Sequence, residues 1–254
     1  MKWIYKSFVG LAIVTCCHAQ GDAPPRKYGS LVFPAKGNIH LGEGTVEMWF
    51  INGFDTEVPQ EQWTEKWRTL FALIFPTKEK YAIFFPSPNT MVVAGYVLSG
   101  EQSYVWSPQN LRWKPGELHY LAWTWRGKER DFFVDGEKLV GVIPNWETTV
   151  PEVREVQGTV HGNLEGAVLN FGGRGSSIAL AGIRISSIAL TKEDVLRSME
   201  QGPVKDISTL LLDRCDGAPS EVISGYSGEK GGSYKGVALP VETKFGKGTQ
   251  LWSE

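Results

Sequence analysis

Hydrophobic and polar residues alternate through the stretch 118–142, and this alternation predicts a meander of β-strands. A polar turn over 126–130 separates the first strand from an aromatic return strand over 132–134. The pair Asp135-Gly136 then has the positive-φ chemistry of a second hairpin turn. Three apolar residues of the first strand share one face, which we expect to point into the core: Leu121, Trp123 and Trp125.

Short apolar runs of the same kind recur along the rest of the chain, separated by Gly, Pro, Asn and Asp. No alternation of strands and helices interrupts them, so the pattern predicts an all-β antiparallel sandwich. Outside the meander, the predicted strands are 30–33, 45–51, 69–75, 80–85, 91–98, 104–106, 167–171, 178–188 and 209–212.

One short helix is predicted near 191–200. Thr191 is a favourable N-cap, and Asp194 stands at the capping-box position three residues later. An apolar stripe follows, and Gly202-Pro203 ends the helix. A second, weaker helical pattern covers 61–68.

The N-terminus resembles a secretory signal peptide over 1–19. Lys2 and Lys6 precede a short apolar run over 8–15, and Ala19 supplies the small residue that signal peptidase requires. The alternative is a lipoprotein signal in which Cys16 or Cys17 is modified, although the residues before them suit that processing poorly. We therefore expect a secreted or cell-envelope protein. No run is long enough to predict a membrane span.

The length of 254 residues suits one large sandwich, with 20–29 as a linker and 30–254 as a single domain. The segment 213–250 is rich in Gly, Ser and charge and is predicted to be a loop-rich tail, with 249–252 returning to the sandwich as an edge strand. The formal net charge of −2 gives no electrostatic reason to expect a nucleic-acid partner. Cys215 is the one thiol beyond the signal peptide, so no internal disulfide is expected.

The segment 113–136 resembles the core signature of laminin-G-like, concanavalin A-like domains: a Trp-Lys-Pro-Gly turn, a His, a strand ending in Thr-Trp, and an aromatic strand closed by Asp-Gly. Three further stretches, 44–50, 69–75 and 180–199, show weaker similarity to the family and occur in the family's order. The resemblance covers about 30–200 and implies a jelly-roll sandwich that recognises a carbohydrate or a glycoprotein without catalysis. It also implies that His119 hydrogen-bonds within the sandwich.

Two features qualify this resemblance. Many relatives carry an acidic pair where this chain has Ala181 and Gly182, which weakens any calcium role for that strand. The stretches 209–217 and 244–251 look like the family's opening strands but come last. They either complete the same sandwich or begin a truncated second copy. The first is favoured, because so short a segment cannot bury its own core.

Two other functions remain open. A glycoside hydrolase or polysaccharide lyase on this scaffold would need paired carboxylates or a Tyr/His/Lys set. Retaining hydrolysis needs two carboxylates about 5–5.5 Å apart. Glu47 stands alone on its strand and is predicted to face solvent or the rim. A structural adhesion module would instead present a flat apolar patch.

Aromatic residues in polar, loop-like surroundings form the predicted ligand surface, because exposed rings stack on the apolar faces of sugars. The residues are Trp63, Trp67, Tyr104, Trp106 and Trp146. No cofactor is predicted, but calcium is left open. Its candidate ligands are the turn residues Asp131, Asp135 and Asp216, although their spacing does not show a convergent set of oxygens.

Overall fold

A computed structural model describes residues 27–63, 68–88, 90–96, 102–103, 111–139, 142–143, 152–153, 159–173, 175–216, 232–236 and 238–253. These residues form two antiparallel sheets, two short two-stranded ladders and one α-helix. The prediction of an all-β sandwich with one short helix is confirmed.

The larger sheet has eight strands, which are numbered here in chain order. Its spatial order is β10 (Glu137–Lys138), β9 (Glu129–Val134), β8 (Leu118–Arg126), β3 (Glu43–Asn52), β14 (Ile178–Ser186), β18 (Gly246–Gln250) and β17 (Leu239–Thr243). The eighth strand, β15 (Thr209–Asp213), pairs with the second half of β14. The predicted meander is therefore the β8–β9–β10 side of this sheet.

The smaller sheet has seven strands in the order β16 (Ser233–Lys235), β2 (Ser30–Pro34), β13 (Val168–Gly172), β4 (Arg68–Ile74), β5 (Lys80–Ser87), β6 (Thr90–Tyr96) and β7 (Gln102–Ser103). Two short ladders complete the strands: β1 (Lys27–Tyr28) with β19 (Trp252–Ser253), and β11 (Val142–Ile143) with β12 (Glu152–Val153).

The main core fills the space between the two sheets, and the aromatic face of β8 lies at its centre. Leu121, Trp123 and Trp125 are each at most 1% exposed, as the alternation predicts. The Trp123 ring lies 4.8 Å from that of Trp125, measured between centroids. It also contacts two rings of the opposite sheet, Phe71 at 6.3 Å and Tyr81 at 5.9 Å. Trp123 therefore joins the two layers.

Helix α1 (Lys192–Gln201) covers the outer face of the eight-stranded sheet. Its ends agree with the prediction: Thr191 and Asp194 form a reciprocal capping box, and Gly202 ends the helix with a φ of 79°. The helix and sheet enclose a second apolar cluster of Trp49, Tyr120, Ala122, Phe133, Ala181, Leu190 and Val195. The weaker helix prediction over 61–68 is wrong where it can be compared, because a 3₁₀ turn spans Gln60–Gln62 and Arg68 already begins β4.

Replacing Thr191 with alanine is expected to lower the free energy of unfolding by about 1 kcal/mol, the usual cost of losing an N-cap side chain. The hydroxyl of Thr191 accepts a hydrogen bond from the Asp194 backbone N–H at 3.2 Å. Urea denaturation measures the change, and Thr191→Ser, which keeps the hydroxyl, is the control. Equal stability of the alanine and serine variants would contradict a role for the cap.

The tail contributes strands to both sheets. β16 lies beside β2, while β17 and β18 extend the eight-stranded sheet. The predicted edge strand over 249–252 is corrected, because β18 lies between β14 and β17 and is not an edge. Cys215 is fully buried, and burial raises the pKa of its thiol well above the ordinary value. Among the described residues, no helix is long and apolar enough to cross a membrane.

Candidate functional site

Trp63 does not lie on the surface, which corrects the prediction of an exposed loop aromatic at this position. Its side chain is 7% exposed and belongs to the main core. The ring packs edge-on against Phe54 with centroids 5.6 Å apart, and the Arg68 guanidinium lies 4.4 Å from its centroid. A ring buried in this way cannot stack on a sugar, so Trp63 has a packing role here.

The other four predicted aromatics lie outside the described residues: Trp67, Tyr104, Trp106 and Trp146. Their part in ligand binding stays a prediction. The described residues form a candidate site elsewhere, which is a groove on the outer face of the seven-stranded sheet near its β16 edge.

The groove has a volume of about 340 Å³. Pockets that hold small ligands range from about 300 to 1,000 Å³, so the groove suits a ligand of one or two sugar units. Residues from β2, β13, β16 and the loops next to β2 and β13 line it: Val32, Phe33, Pro34, Lys36, Leu164, Glu165, Gly166, Ala167, Val168, Ser233 and Lys235.

The floor of the groove is apolar because strand alternation directs one face of β2 and β13 outward. Val32 and Pro34 occupy alternate positions of β2, and Val168 is the cross-strand partner of Pro34. The apolar surface continues across the sheet, since Ile74 of β4 pairs with Val168. Leu164 adds a half-buried wall.

The rim of the groove is polar and charged. On one side, the Lys36 ammonium forms an ion pair with the Glu165 carboxylate at 2.7 Å, which joins the loop after β2 to the loop before β13. On the other side, Ser233 and Lys235 occupy alternate, exposed positions of β16. Ser233 is the cross-strand partner of Val32, so its hydroxyl stands directly beside the floor. An apolar floor with hydrogen-bonding edges suits a ligand that has both kinds of surface.

Glu47 corrects another prediction, because it is fully buried and not solvent-facing. It is the cross-strand partner of Arg184, and the two side chains form a bidentate ion pair with N–O distances of 2.5 and 3.0 Å. Tyr120 also donates its hydroxyl hydrogen to Glu47 at 2.7 Å. A carboxylate held this way cannot reach a substrate, so Glu47 is part of the framework beneath helix α1.

Arg184 extends this network to the segment after β14. Its guanidinium donates to Ser198 of the helix at 2.6 Å and to the Val204 carbonyl at 3.0 Å. It also meets Asp206 at 3.2 Å. Burial alone would raise the pKa of Asp206, but hydrogen bonds from Ser208 and Thr209 and the charge of Arg184 outweigh it, so the pKa is lowered. Burial, followed by the nearby Glu47 carboxylate, raises the pKa of Tyr120 well above its usual value.

The calcium candidates already have partners within the protein. Asp131 forms an ion pair with Lys138 at 2.6 Å. Asp135 accepts hydrogen bonds from the Tyr120 backbone N–H at 2.8 Å and from His119. Asp216 has interactions of its own. Within the part of the chain that the structure describes, no three or more His, Cys, Asp or Glu side chains converge as a metal site.

His119 has the internal hydrogen bond that the resemblance implies. Its Nδ1 lies 2.9 Å from Asp135 Oδ2, and its ring stacks on Trp113 with centroids 4.0 Å apart. Asp135 adopts a φ of 50°, which favours Asp, Asn and Gly over other residues. The His119–Asp135 contact therefore fastens the β9–β10 turn to β8, and its role is architectural.

Sequence reasoning missed the groove because its residues come from three separate stretches, 32–36, 164–168 and 233–235. Each is unremarkable alone: a strand ending in Pro, a turn with one acid, and a short polar segment of the tail. A weak signal was present in the alternation of β2, which places Val32 and Pro34 on the face opposite the core residues Leu31 and Phe33.

No family model matches the chain, and no curated protein matches it in sequence. Among solved structures, it is similar to a heptameric SAP-like pentraxin from Limulus polyphemus, with 13% identity, a TM-score of 0.45, and coverage of 91% of this chain and 92% of the pentraxin.

Two further similarities are partial. Trypanosoma rangeli sialidase matches 62% of this chain with 13% identity and a TM-score of 0.37, and the match spans 22% of the sialidase. The binding domain of botulinum neurotoxin serotype G matches 72% of this chain with 8% identity and a TM-score of 0.41, across 40% of that structure. At these levels of similarity, the function has to be argued from the chain's own residues.

Proposed function

We propose that this protein is a non-catalytic recognition domain that binds a carbohydrate or a glycosylated partner through the groove. The observation that carries the proposal is the combination of an apolar floor and a polar rim in a groove of about 340 Å³. A pyranose ring has an apolar face bordered by hydroxyl groups, so it matches this arrangement. The floor excludes water from the apolar face, while Ser233, Lys36 and Glu165 offer hydrogen-bonding partners.

Recognition fits the groove better than hydrolysis does. Glu165 is the single carboxylate among the described lining residues, and it is engaged by Lys36. Hydrolysis by a pair of carboxylates needs a second acid within about 5–9.5 Å across the bond that is cleaved. Glu47, the acid in the early core strand, is buried in its ion pair with Arg184.

The proposal includes a location outside the cytoplasm, either secreted or at the cell envelope. The signal-peptide pattern over 1–19 supports this, and it lies outside the described residues. Glycans and glycoproteins are abundant in such compartments, so location and ligand class agree. Mass spectrometry of the mature N-terminus would test it: cleavage before Gln20 is expected, and an intact N-terminus would contradict it.

A glycan-array screen of the purified mature chain, with and without calcium, should identify bound saccharides. Filling the groove with Ser233→Trp is expected to weaken the binding of any such saccharide by about tenfold or more, because the bulky ring occupies the ligand's place. Lys128→Trp, an exposed change in the β8–β9 turn, is the control. Calorimetric titration measures both affinities. No binding on the array, or equal affinity of the two variants, would contradict the proposal.

A further inference from the structure

The charge of the groove differs in sign from the charge of the chain. Two lysines and one glutamate line it, which leaves one net positive charge, whereas the whole chain carries −2. The Lys36 ammonium and the Glu165 carboxylate are only 2.7 Å apart and largely compensate each other. The excess positive charge is therefore that of Lys235.

Lys235 is exposed and forms no ion pair with any other residue that the structure describes. Its strand, β16, fixes its direction: Lys235 is two residues from Ser233 and is the cross-strand partner of Ser30. Alternation places Lys235 on the same face as Ser233 and the groove floor. The paired strand thus directs the Lys235 side chain to the groove that it lines.

Where β2 extends beyond β16, its backbone offers few free groups to an added strand. An added strand needs free main-chain N–H and C=O groups along the edge. The pairing of β16 with β2 ends at Val32. Pro34 is the next residue of β2 whose backbone points toward the β16 side, and proline has no N–H. The Pro34 carbonyl already accepts a hydrogen bond from the Asn38 side chain at 2.9 Å, and the Ala35 N–H donates to Ala167 on the other side. Along this stretch of β2, side chains are therefore the main groups that a ligand in the groove can contact.

We infer that the groove binds an acidic saccharide, with the apolar face of one sugar ring on Val32, Pro34 and Val168 and its carboxylate or sulfate group beside Lys235. This inference rests on the proposed function and narrows its ligand class. The Lys235 charge adds little to the binding of a neutral sugar, because water solvates the exposed ammonium, while a negatively charged substituent gains an ion pair and long-range attraction to a positive groove.

Four saccharides test the inference by calorimetric titration: a hexuronic acid oligosaccharide, its carboxyl-reduced form, a sulfated oligosaccharide and its desulfated form. We expect at least one acidic saccharide to bind more tightly than its neutral counterpart, and the preferred pair identifies the anionic group. Raising the salt concentration should weaken the acidic complex and leave neutral binding unchanged.

Lys235→Met removes the charge and keeps an unbranched apolar side chain. Because Lys235 is exposed, its ion pair should be worth a factor of about five in affinity, and the variant should lose about that much for the acidic saccharide alone. Lys235→Arg should retain the preference. Lys128→Met, which removes an exposed charge in the β8–β9 turn, is the control and should change nothing.

The outcomes separate the inference from the proposed function. If acidic and neutral saccharides bind equally and Ser233→Trp abolishes both, sugar recognition stands and the acidic preference is refuted. If none of the four saccharides binds, or if an extended peptide binds and Ser233→Trp abolishes that binding while saccharides do not bind, both proposals are refuted. A preference for the acidic saccharide that Lys235→Met removes and Lys128→Met leaves intact supports the inference.

Discussion

Trp123→Ala is expected to lower the free energy of unfolding by about 3–5 kcal/mol, which is among the largest effects of any single substitution. The side chain is 1% exposed and contacts Trp125 within its own sheet. Its contacts with Phe71 and Tyr81 reach across to the other sheet. Alanine would lose the buried indole surface and leave a cavity between the layers that neither sheet can close, because the ladders fix both backbones.

Urea denaturation followed by circular dichroism measures this loss. Trp123→Phe should cost clearly less, because it keeps a ring in the same space and removes an indole N–H that has no hydrogen-bond partner among the described groups. Leu239→Ala is the exposed control and should change stability by about 0.5 kcal/mol or less. If Trp123→Ala cost no more than Leu239→Ala, Trp123 could not be the centre of the core.

Arg184→Leu is expected to destabilise the fold by about 3–5 kcal/mol through a different mechanism. It leaves the Glu47 carboxylate buried without its cationic partner, and solvent cannot reach a side chain that is 0% exposed. Ser198 and the Val204 carbonyl also lose their donor. The cost arises from desolvated groups that remain, more than from the loss of an attraction.

The double variant Glu47→Leu, Arg184→Leu tests this mechanism. It removes both charges. Its loss of unfolding free energy should therefore be smaller than the sum of the losses of the two single variants by about 0.5–3 kcal/mol. Arg197→Leu is the matched control. Arg197 and Asp194 form an exposed ion pair within helix α1, so its loss should change stability little. Additive losses, or an Arg184→Leu variant as stable as Arg197→Leu, would contradict a coupled buried pair.

The surroundings of the buried pair also explain why the prediction that Glu47 faces solvent or the rim is wrong. Alternation correctly puts Glu47 on the face of β3 opposite the main core, together with Trp49. In an isolated sheet, that face would meet water, and an acid there would be ordinary. Helix α1 and the segment after it cover the face, and the distance of 137 residues between Glu47 and Arg184 carries no local signal for their pairing.

The predicted exposure of Trp63 is wrong for a related reason. Trp63 lies in a polar stretch of sequence, which predicts exposure. Arg68, Phe54 and the core surround it after folding. Residues in a polar stretch of the chain thus became buried in the fold, because Arg68 turns its guanidinium inward over the Phe54 and Trp63 rings and donates to the Gly175 carbonyl.

The sequence by itself determined the local structure: the strands of the meander, the face of β8 that is buried, the capped helix and the turn at Asp135-Gly136. These depend on periodicity and on backbone preferences within a few residues, which a linear sequence records. The tertiary structure alone decided the groove, the Glu47–Arg184 pair and the interior place of β18. Each depends on which distant strands pair and on what covers a sheet face. Burial changes the energetic role of a polar side chain, and no local pattern in the sequence encodes burial by a remote segment.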